Sequence, residues 1–342
     1  MSKATYHSAG VNLEASEQVK NQIKELATNT YGPDVLGGVG GFGAMYKVAG
    51  YKQPVLVSST DPVGTKLMVA GMAGDYSNIG IDLVNACIND VIVVGASPLF
   101  FLDYIATSKM NPEVVNTVVS GIAEACKEVN CALIGGETSE MPGVFADNNF
   151  DISGFIVGIV EEQDMLRPHD NIEPGNMVIG LPSNGLHTNG YSLVRHIFEL
   201  DKNPQPLFNE IQELGCTLAQ ALLAPHPSYY EALKPVLSLS KGIAHITGGG
   251  LYENVPRILP DSLGVVFDSS SWQKPRIFNH IEKAGNVAIE EMYRVFNMGL
   301  GMVIICDSKD VGSVLATVPE SLVVGEVISE SDQSQRVSIK NI

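Results

Sequence analysis

Apolar residues along this chain fall into helical stripes and short unbroken runs, and the two kinds of segment alternate through the first half. A helix is expected from Glu17 to about Thr28, with Ser16 as its N-cap, and a glycine-rich segment follows from Gly32 to Gly43. Val55 to Thr60 reads as a strand, about Asn78 to Val94 as a long helix, and Leu99 to Ala106 as a strand. Asn111-Pro112-Glu113 pairs a capping residue with proline at the first helical position. It opens a helix whose apolar stripe is Val114, Val115, Val118, Ile122 and Ala125. Ala132 to Ile134 and Phe150 to Val160 add further strands. The polar stretch from Glu161 to Asn176, with Arg167-Pro168 and Glu173-Pro174-Gly175, marks a boundary, so residues 1–168 are expected as one domain and 169–342 as another. Beyond it, strands are expected at Met177 to Leu181, Gly264 to Asp268, Met302 to Asp307 and Leu322 to Ile328. Helices and strands joined by short connections in both halves predict an α/β (α+β) protein of two mixed domains.

The 342 residues carry 21 basic and 38 acidic side chains, a net charge of −17, with no basic tract. Such a chain has no electrostatic hold on nucleic acid or on an anionic membrane. Its 34 glycines exceed the usual share of roughly 7% and point to tight loops or close backbone approach to a ligand. The five cysteines (Cys87, Cys126, Cys131, Cys216 and Cys306) form no CxxC, and four lie in apolar or helical surroundings as small hydrophobes. Met1 to Glu14 has neither the basic start nor the apolar core of a signal peptide. The apolar run Val91 to Leu102 is broken by Gly95, Ser97 and Pro98 and is too short to span a bilayer. A soluble, cytoplasmic protein is expected.

Between Leu67 and Ser108, 42 residues, there is no Lys, Arg or Glu; the charges are Asp75, Asp82, Asp90 and Asp103. On a helical wheel with Asp82 at zero, Asn85, Asn89 and Asp90 fall at about −60°, −20° and +80°, and apolar residues fill the opposite arc. A solvated face is normally dotted with Lys, Glu and Arg. This one offers only carboxylates and amides, which call for an external cation, and hard oxygen ligands suit Mg2+. The competing reading is that these side chains cap neighbouring loops. The pattern recurs between Lys127 and Arg167, where Glu137, Glu140, Asp147 and Asp151 meet no basic residue. Glu137 follows Gly135-Gly136 at the end of an apolar strand, and Asp61 follows the strand Val55 to Thr60 with Lys66 five residues on. Strand ends are where sheet enzymes place ligand groups, so these carboxylates favour a metal–phosphate site.

Gly38-Val39-Gly40-Gly41-Phe42-Gly43 matches GxGxxG, yet the context fails a dinucleotide-binding dehydrogenase: no buried strand precedes it, and Gly50 interrupts the helix that should follow. A flexible loop over phosphates accounts for the same glycines. Walker, HExxH and GxSxG motifs are absent. Thr247-Gly248-Gly249-Gly250, ahead of a short helix, has the form of an anion seat of backbone N–H groups or of a tight turn. His187, between Gly185 and Gly190, reads as a structural hydrogen-bonder or as a catalyst. The residues alone describe a two-domain protein binding phosphates through Mg2+ and backbone amides.

As a set, these segments resemble the phosphoribosylformylglycinamidine cyclo-ligase (AIR synthetase) family, within the AIR synthetase-related ATP-binding superfamily. The resemblance rests on Asp61-Pro62-Val63-Gly64-Thr65-Lys66, Asp82 to Asn85 with Asn89-Asp90, Pro98 to Tyr104, and Gly135 to Gly143. It continues through Gly185 to Arg195, His245 to Gly250, Asn254 to Arg257 and Phe296 to Gly299, nearly the whole chain in order. It implies ATP-dependent closure of formylglycinamidine ribonucleotide to aminoimidazole ribonucleotide, with ADP and phosphate released, in de novo purine biosynthesis.

By that resemblance Asp61, Asp90 and Glu137 hold Mg2+ and ATP, with Asn89 and Asp82 as further candidates. Gly37, Gly38, Gly40, Gly41, Phe42 and Gly43 close over the nucleotide, and Lys66 offers charge to phosphate. His187, Asn189, Thr247, Gly248, Gly249 and Gly250 face the ribotide; His187, Asp90 and Lys66 take part in catalysis, with His187 assisting proton removal. A homodimer is implied, its N-terminal strands forming a barrel across the interface. The chain departs from the family pattern at Ser8 and Asn12, where acidic residues are usual, at Pro62 for glycine and at Ser97 for glutamate. Within the superfamily, thiamine-monophosphate kinase is another relative. Selenophosphate synthetase is disfavoured by the lack of a cysteine before Cys87, and formylglycinamidine ribonucleotide synthetase by the Gly185 and Phe296 segments. A non-catalytic nucleotide-binding protein is the alternative of a different class.

Overall fold

The computed structural model describes residues 13–146, 149–329 and 336–342. The Tyr6 to Asn12 opening, with Ser8 and Asn12, and Asp147 lie outside them. The chain separates into two compact units, Met1–Val91 with Ser97–Glu161, and Ile92–Ala96 with Glu162–Ile342.

The first unit contains α1 (Leu13–Thr28), a short ladder of β1 (Val35–Gly37) and β2 (Met45–Tyr46), β3 (Pro54–Pro62), α2 (Lys66–Ala73), α3 (Ile79–Ile92), β4 (Ser97–Thr107), α4 (Pro112–Glu128), β5 (Ala132–Glu140) and β6 (Phe150–Glu161). Its four-stranded sheet runs β3-β6-β4-β5, with β4 and β5 parallel and the other neighbours antiparallel. Asn111 caps α4 as expected, its side chain accepting from the N–H groups of Glu113 at 3.1 Å and Val114 at 3.4 Å. Of the expected stripe, Val115, Val118, Ile122 and Ala125 are buried and Val114 is half-buried. α3 crosses α4 where two glycines meet. A Cβ on Gly80 would lie 2.0 Å from the Val118 carbonyl oxygen, and one on Gly121 3.2 Å from the Ile81 nitrogen. Only bare backbone fits there.

Several boundaries differ from expectation for physical reasons. α1 begins at Leu13, so Ser16 lies inside the helix rather than capping it; Leu13-Glu14-Ala15 are strong helix formers that carry it back one turn. α2 was not expected, because Gly71 and the small residues around it blur the stripe. α3 stops at Ile92, where Gly95 at φ +88° turns the chain. β3 and β5 run past their apolar stretches, so Asp61 and Glu137 sit within strands, not in the loops after them. These are the two edge strands. The backbone ladder continues there although the side chains turn polar.

β3 and α3 identify the covered face of the sheet, since Ser59 Oγ donates to Asp90 Oδ2 at 2.8 Å. On the opposite face Leu56 and Phe155 stay 61% and 44% exposed.

The second unit holds α5 (Pro168–Asn171), β7 (Met177–Pro182), α6 (Tyr191–Ile197), a two-residue ladder of β8 (Glu210–Ile211) and β9 (Cys216–Thr217), α7 (Leu218–Leu222) and α8 (Tyr230–Leu233). It continues with β10 (Ser240–His245), α9 (Gly250–Asn254), β11 (Leu263–Asp268), α10 (Arg276–Gly285), α11 (Ile289–Val295), β12 (Leu300–Cys306), α12 (Val311–Thr317), β13 (Leu322–Ser329) and β14 (Val337–Lys340). The six-stranded sheet runs β10-β12-β7-β13-β11-β14, with β11 and β14 parallel. β12 is buried along its whole length. β10 and β14 escaped the sequence reading because Ser240-Lys241-Gly242 and Val337-Ser338-Ile339-Lys340 mix polar and apolar residues at the sheet edges. Cys87, Cys126, Cys131 and Cys306 are buried free thiols, as expected of small hydrophobes. Among the described residues no helix is long and apolar enough to cross a membrane.

The α3–α4 crossing generates a test. Gly80→Ala should destabilise the protein by roughly 3 kcal/mol, because the methyl group meets main chain that cannot yield without parting the helices. Urea unfolding measures it; a change below about 1 kcal/mol would refute the close contact.

Candidate active site

Asp61 and Asp103 share the covered face of the first unit's sheet, whereas Glu137, paired with Tyr104, lies one step out of that row. Cross-strand pairing sets Asp61 opposite Gly154, Gly154 opposite Asp103, and Asp103 opposite Gly136, a single row across all four strands. Asp90, on α3, accepts from Ser59 on β3. Between Asp61 and Asp90 lies Cys87, whose thiol is pushed well above its ordinary range, first by burial and then by those two carboxylates. Ser59 and Asp61 lie two residues apart on one face of β3, so the Ser59–Asp90 bond brings Asp90 to the same stretch of strand as Asp61. Glu137 is remote from that stretch: it lies on β5, three strand steps from β3, or on the order of 14 Å of sheet.

Lys66 and Asp82 correct the cation-free reading of α3. Lys66 Nζ lies 2.7 Å from Asp82 Oδ2, and both side chains are 0% exposed. Burial pulls the Lys66 ammonium down from its usual range, and the charge and hydrogen bond of Asp82 oppose this. Asp82 thus has its cation inside the fold, supplied by the residue just before the cation-free stretch begins. In this arrangement Lys66 points at Asp82, not at an open site.

Among the described residues no three His, Cys, Asp or Glu side chains gather closely enough to hold a metal ion unaided. Mg2+ is held by one or two carboxylates together with substrate phosphates and keeps several waters. Asp61 and Asp90 supply such a pair of hard oxygen donors.

A cleft of about 400 Å3 opens at the β5 side of the sheet, lined by Lys20 and Lys24 of α1, Val39, Gly40 and Gly41 of the glycine loop, and Asp103, Glu137 and Thr138; Asp61 and Asp90 are not among its lining residues. The expected loop and Glu137 therefore meet in one place. Tyr31 shapes that loop: its hydroxyl accepts from the Val39 N–H at 2.9 Å and fills the space a Cβ on Gly38 would need. Phe42 is fully exposed at the loop tip.

Sequence reasoning gave no site role to Lys20, Lys24 or Asp103. The two lysines are spaced i, i+4 and so share a face of α1. Asp103 interrupts the aromatic run Phe100-Phe101-Leu102 on a central strand, the one available signal. It is only 4% exposed, and its carboxyl leans over Gly136, where a Cβ would lie 2.3 Å from Oδ1. Burial raises its pKa from 3.8 to about 7, against the pull of its own backbone N–H and with some help from the Glu137 charge.

In the second unit, the Gly185–Gly190 and Thr247–Gly250 loops touch: a Cβ on Gly248 would lie 3.2 Å from Asn189 Oδ1. Asn297 fastens the first loop, donating to the Gly185 carbonyl at 2.8 Å and accepting from Ser183 Oγ at 2.7 Å and the Gly299 N–H at 2.9 Å. Asn254 fastens the second, donating to the carbonyls of Gly248 at 3.1 Å and Gly250 at 2.9 Å. Gly249 at φ +92° and Gly250 at φ +57° need the freedom of glycine, and a Cβ on Gly250 would strike the Tyr293 carbonyl at 2.0 Å.

His187 departs from the picture of a polar, open loop. It is buried, held at φ +59°, and its ring stacks on His226 at 4.1 Å and 18°. Asn189 and Thr247 are half-buried and more open to a ligand than His187.

Asp103 generates a pH-dependent prediction. The folded protein keeps this proton up to about pH 7, whereas the unfolded chain releases it near 3.8, so folding takes up a proton between those values and stability falls as pH rises through them. The full effect is on the order of 4 kcal/mol. Asp103→Asn removes the titration, so the variant should gain about 2–3 kcal/mol on the parent between about pH 5 and about pH 8. Urea unfolding at the two pH values checks it; parallel stability curves would contradict the buried carboxyl.

Comparison with known proteins identifies the family. The model of the AIR synthase related protein N-terminal domain matches residues 43–160, and that of the C-terminal domain matches residues 173–338. A phosphoribosylformylglycinamidine cyclo-ligase of Thermoanaerobacter pseudethanolicus is 47% identical over 328 residues, covering 94% of this chain and 97% of its own. One of Carboxydothermus hydrogenoformans is 46% identical over 348 residues, covering 100% of both. Among solved structures, thiamine-monophosphate kinase from Stenotrophomonas maltophilia aligns with a TM-score of 0.68 at 14% identity, over 94% of this chain and 96% of its own. The hydrogenase maturation protein HypE in complex with ATP aligns at 0.67 and 15%, over 94% and 90%. At those identities the structures speak for the fold alone. The two matched domains and the near-full-length relatives place this chain in the AIR synthase related family, on the branch of the phosphoribosylformylglycinamidine cyclo-ligases.

Proposed function

We propose that this chain closes the imidazole ring of formylglycinamidine ribonucleotide, consuming ATP and producing aminoimidazole ribonucleotide, ADP and phosphate. The observation that carries this reading is identity of 46% to a cyclo-ligase over 100% of both chains. An amide oxygen leaves poorly, so the γ-phosphoryl group is first transferred to the formyl oxygen and ADP departs. An amidine nitrogen then attacks the same carbon, the carbon–oxygen bond breaks, phosphate carries the oxygen away, and one proton is released. Holding two phosphorylated molecules in register and balancing their charge is most of the work.

The nucleotide belongs in the cleft between the glycine loop and β5, where Lys20 and Lys24 meet its phosphates and Gly37, Gly38, Gly40, Gly41, Phe42 and Gly43 cover it. Asp61 and Asp90 would hold Mg2+, which when bound neutralises triphosphate charge; Glu137 stands on the cleft wall. Lys66 contributes through its pair with Asp82, which anchors the turn following Asp61. Asn189 and Thr247 to Gly250 offer amides to the ribotide. His187 helps take up the released proton from behind that loop. Leu56 and Phe155 mark the face on which a second copy would pack to form the homodimer.

Three measurements test this reading. ADP release from Mg2+-ATP should depend on the ribotide and yield an aminoimidazole product; release without it, or no turnover with both, would contradict the proposal. Asp90→Asn keeps an acceptor for Ser59, so the variant should fold while its Kd for Mg2+-ATP rises at least about tenfold. An unchanged Kd in calorimetry would remove Asp90 from the site. Phe155→Asp should convert a dimer to a monomer in sedimentation analysis; a parent that sediments as a monomer would refute the docking face.

A further inference from the structure

Three of the chain's seven histidines meet in the second unit, from three separate segments. His187 belongs to the Gly185–Gly190 loop. His245 ends β10, one residue short of the Thr247–Gly250 loop. His226, which sequence reasoning passed over, lies between them: its ring stacks on His187 at 4.1 Å, its centroid is 5.2 Å from that of His245, and its Nε2 is 3.3 Å from His245 Nε2. All three rings are buried, and His226 is 0% exposed.

The segment carrying His226 is itself stapled down. Asn184 donates to the Pro225 carbonyl at 2.7 Å, Tyr229 Oη donates to the Pro182 carbonyl at 2.9 Å, and Tyr191 Oη bonds the Leu222 and His187 carbonyls. His187 rests against Gly301 of β12, where a Cβ would come within 2.7 Å of its Cε1. Its φ of +59° is unusual for a residue with a side chain, so the surroundings hold it there against a local preference. Apolar rings would fill such a space without the need to satisfy buried nitrogens. A buried imidazole stack on a strained loop serves geometry that packing alone does not require.

We propose that His226 is a positioning residue for the cyclisation: by stacking on His187 and hydrogen-bonding His245 it locks the two ribotide-facing loops into one arrangement. In the His226–His245 bond one Nε2 carries the proton and the other accepts it, so the two rings hold complementary tautomers. The inference rests on the cyclo-ligase reading and adds to it the part that sets ribotide affinity, distinct from the part that binds ATP.

Paired variants separate the two contacts. His226→Phe keeps the stack and loses the hydrogen bond; His226→Asn keeps hydrogen-bonding capacity and loses the stack. Both should fold, leave the KM for ATP within about twofold, and raise the KM for the ribotide about tenfold. In 15N-histidine spectra, His245 should show one tautomer in the parent and a mixture in His226→Phe, with the single form recovered in His226→Asn. A ribotide KM unchanged in both variants, ATP and ribotide KM rising together, or a His245 tautomer indifferent to His226 would each overturn the proposal. Absence of ribotide-dependent turnover in the parent would instead sink the cyclo-ligase reading on which the proposal stands, and the parent assay identifies that case before any variant is made.

Discussion

A lysine and an aspartate sealed from water fix the architecture of the first unit's site. Lys66 opens α2 only a few residues after Asp61 leaves β3, and Asp82 lies in the first turn of α3. Their pair ties the two helices together at a point where separating the charges would leave one buried and uncompensated, a loss of several kcal/mol. From that anchor α3 runs about 12 Å to Asp90, where Ser59 on β3 receives it. The geometry of Asp61 and Asp90 is thus held at both ends of the helix. The Gly80–Gly121 crossing sets the same helix flush against α4.

The two units carry different chemistry at their candidate sites. The first offers carboxylates in a row on a sheet, two lysines on a helix and a glycine loop, a set suited to a metal-bound polyphosphate. The second offers main-chain amides shaped by positive-φ glycines and clamped by two asparagines, Asn254 and Asn297. Each asparagine uses one carboxamide to bond several backbone groups of a loop, which fixes loop shape without adding charge. Asp103 follows another logic: a carboxyl kept off solvent beside a cleft gives up stability, a common trade where a site must meet a ligand.

What the sequence disclosed tracked how local each feature is. The α4 cap and stripe were legible because Asn111, Pro112 and the apolar spacing act within one helix. Asp61 and Glu137 were expected in loops but lie within strands, because at sheet edges the backbone pairing continues after the apolar pattern stops. The cation-free stretch from Leu67 to Ser108 was real, yet its first carboxylate is neutralised by Lys66 from just outside it, a long-range pairing no composition window reveals. Lys20, Lys24, Asp103 and His226 were missed for the same reason. Their meaning depends on what α1, β4 and the 224–229 segment are packed against, and apart from the break Asp103 makes in an apolar strand, nothing in their own neighbourhoods announces it.

The central claim is that the Lys66–Asp82 anchor presents Asp61 and Asp90 to the metal of a magnesium nucleotide. A crystal structure of the protein with Mg2+ and a non-hydrolysable ATP analogue tests it most directly. The account predicts a magnesium ion coordinated by both aspartates and by phosphate oxygens, with the Lys66–Asp82 contact intact. A metal bound away from both residues, or Lys66 swung out of its pair onto the phosphates, would contradict it.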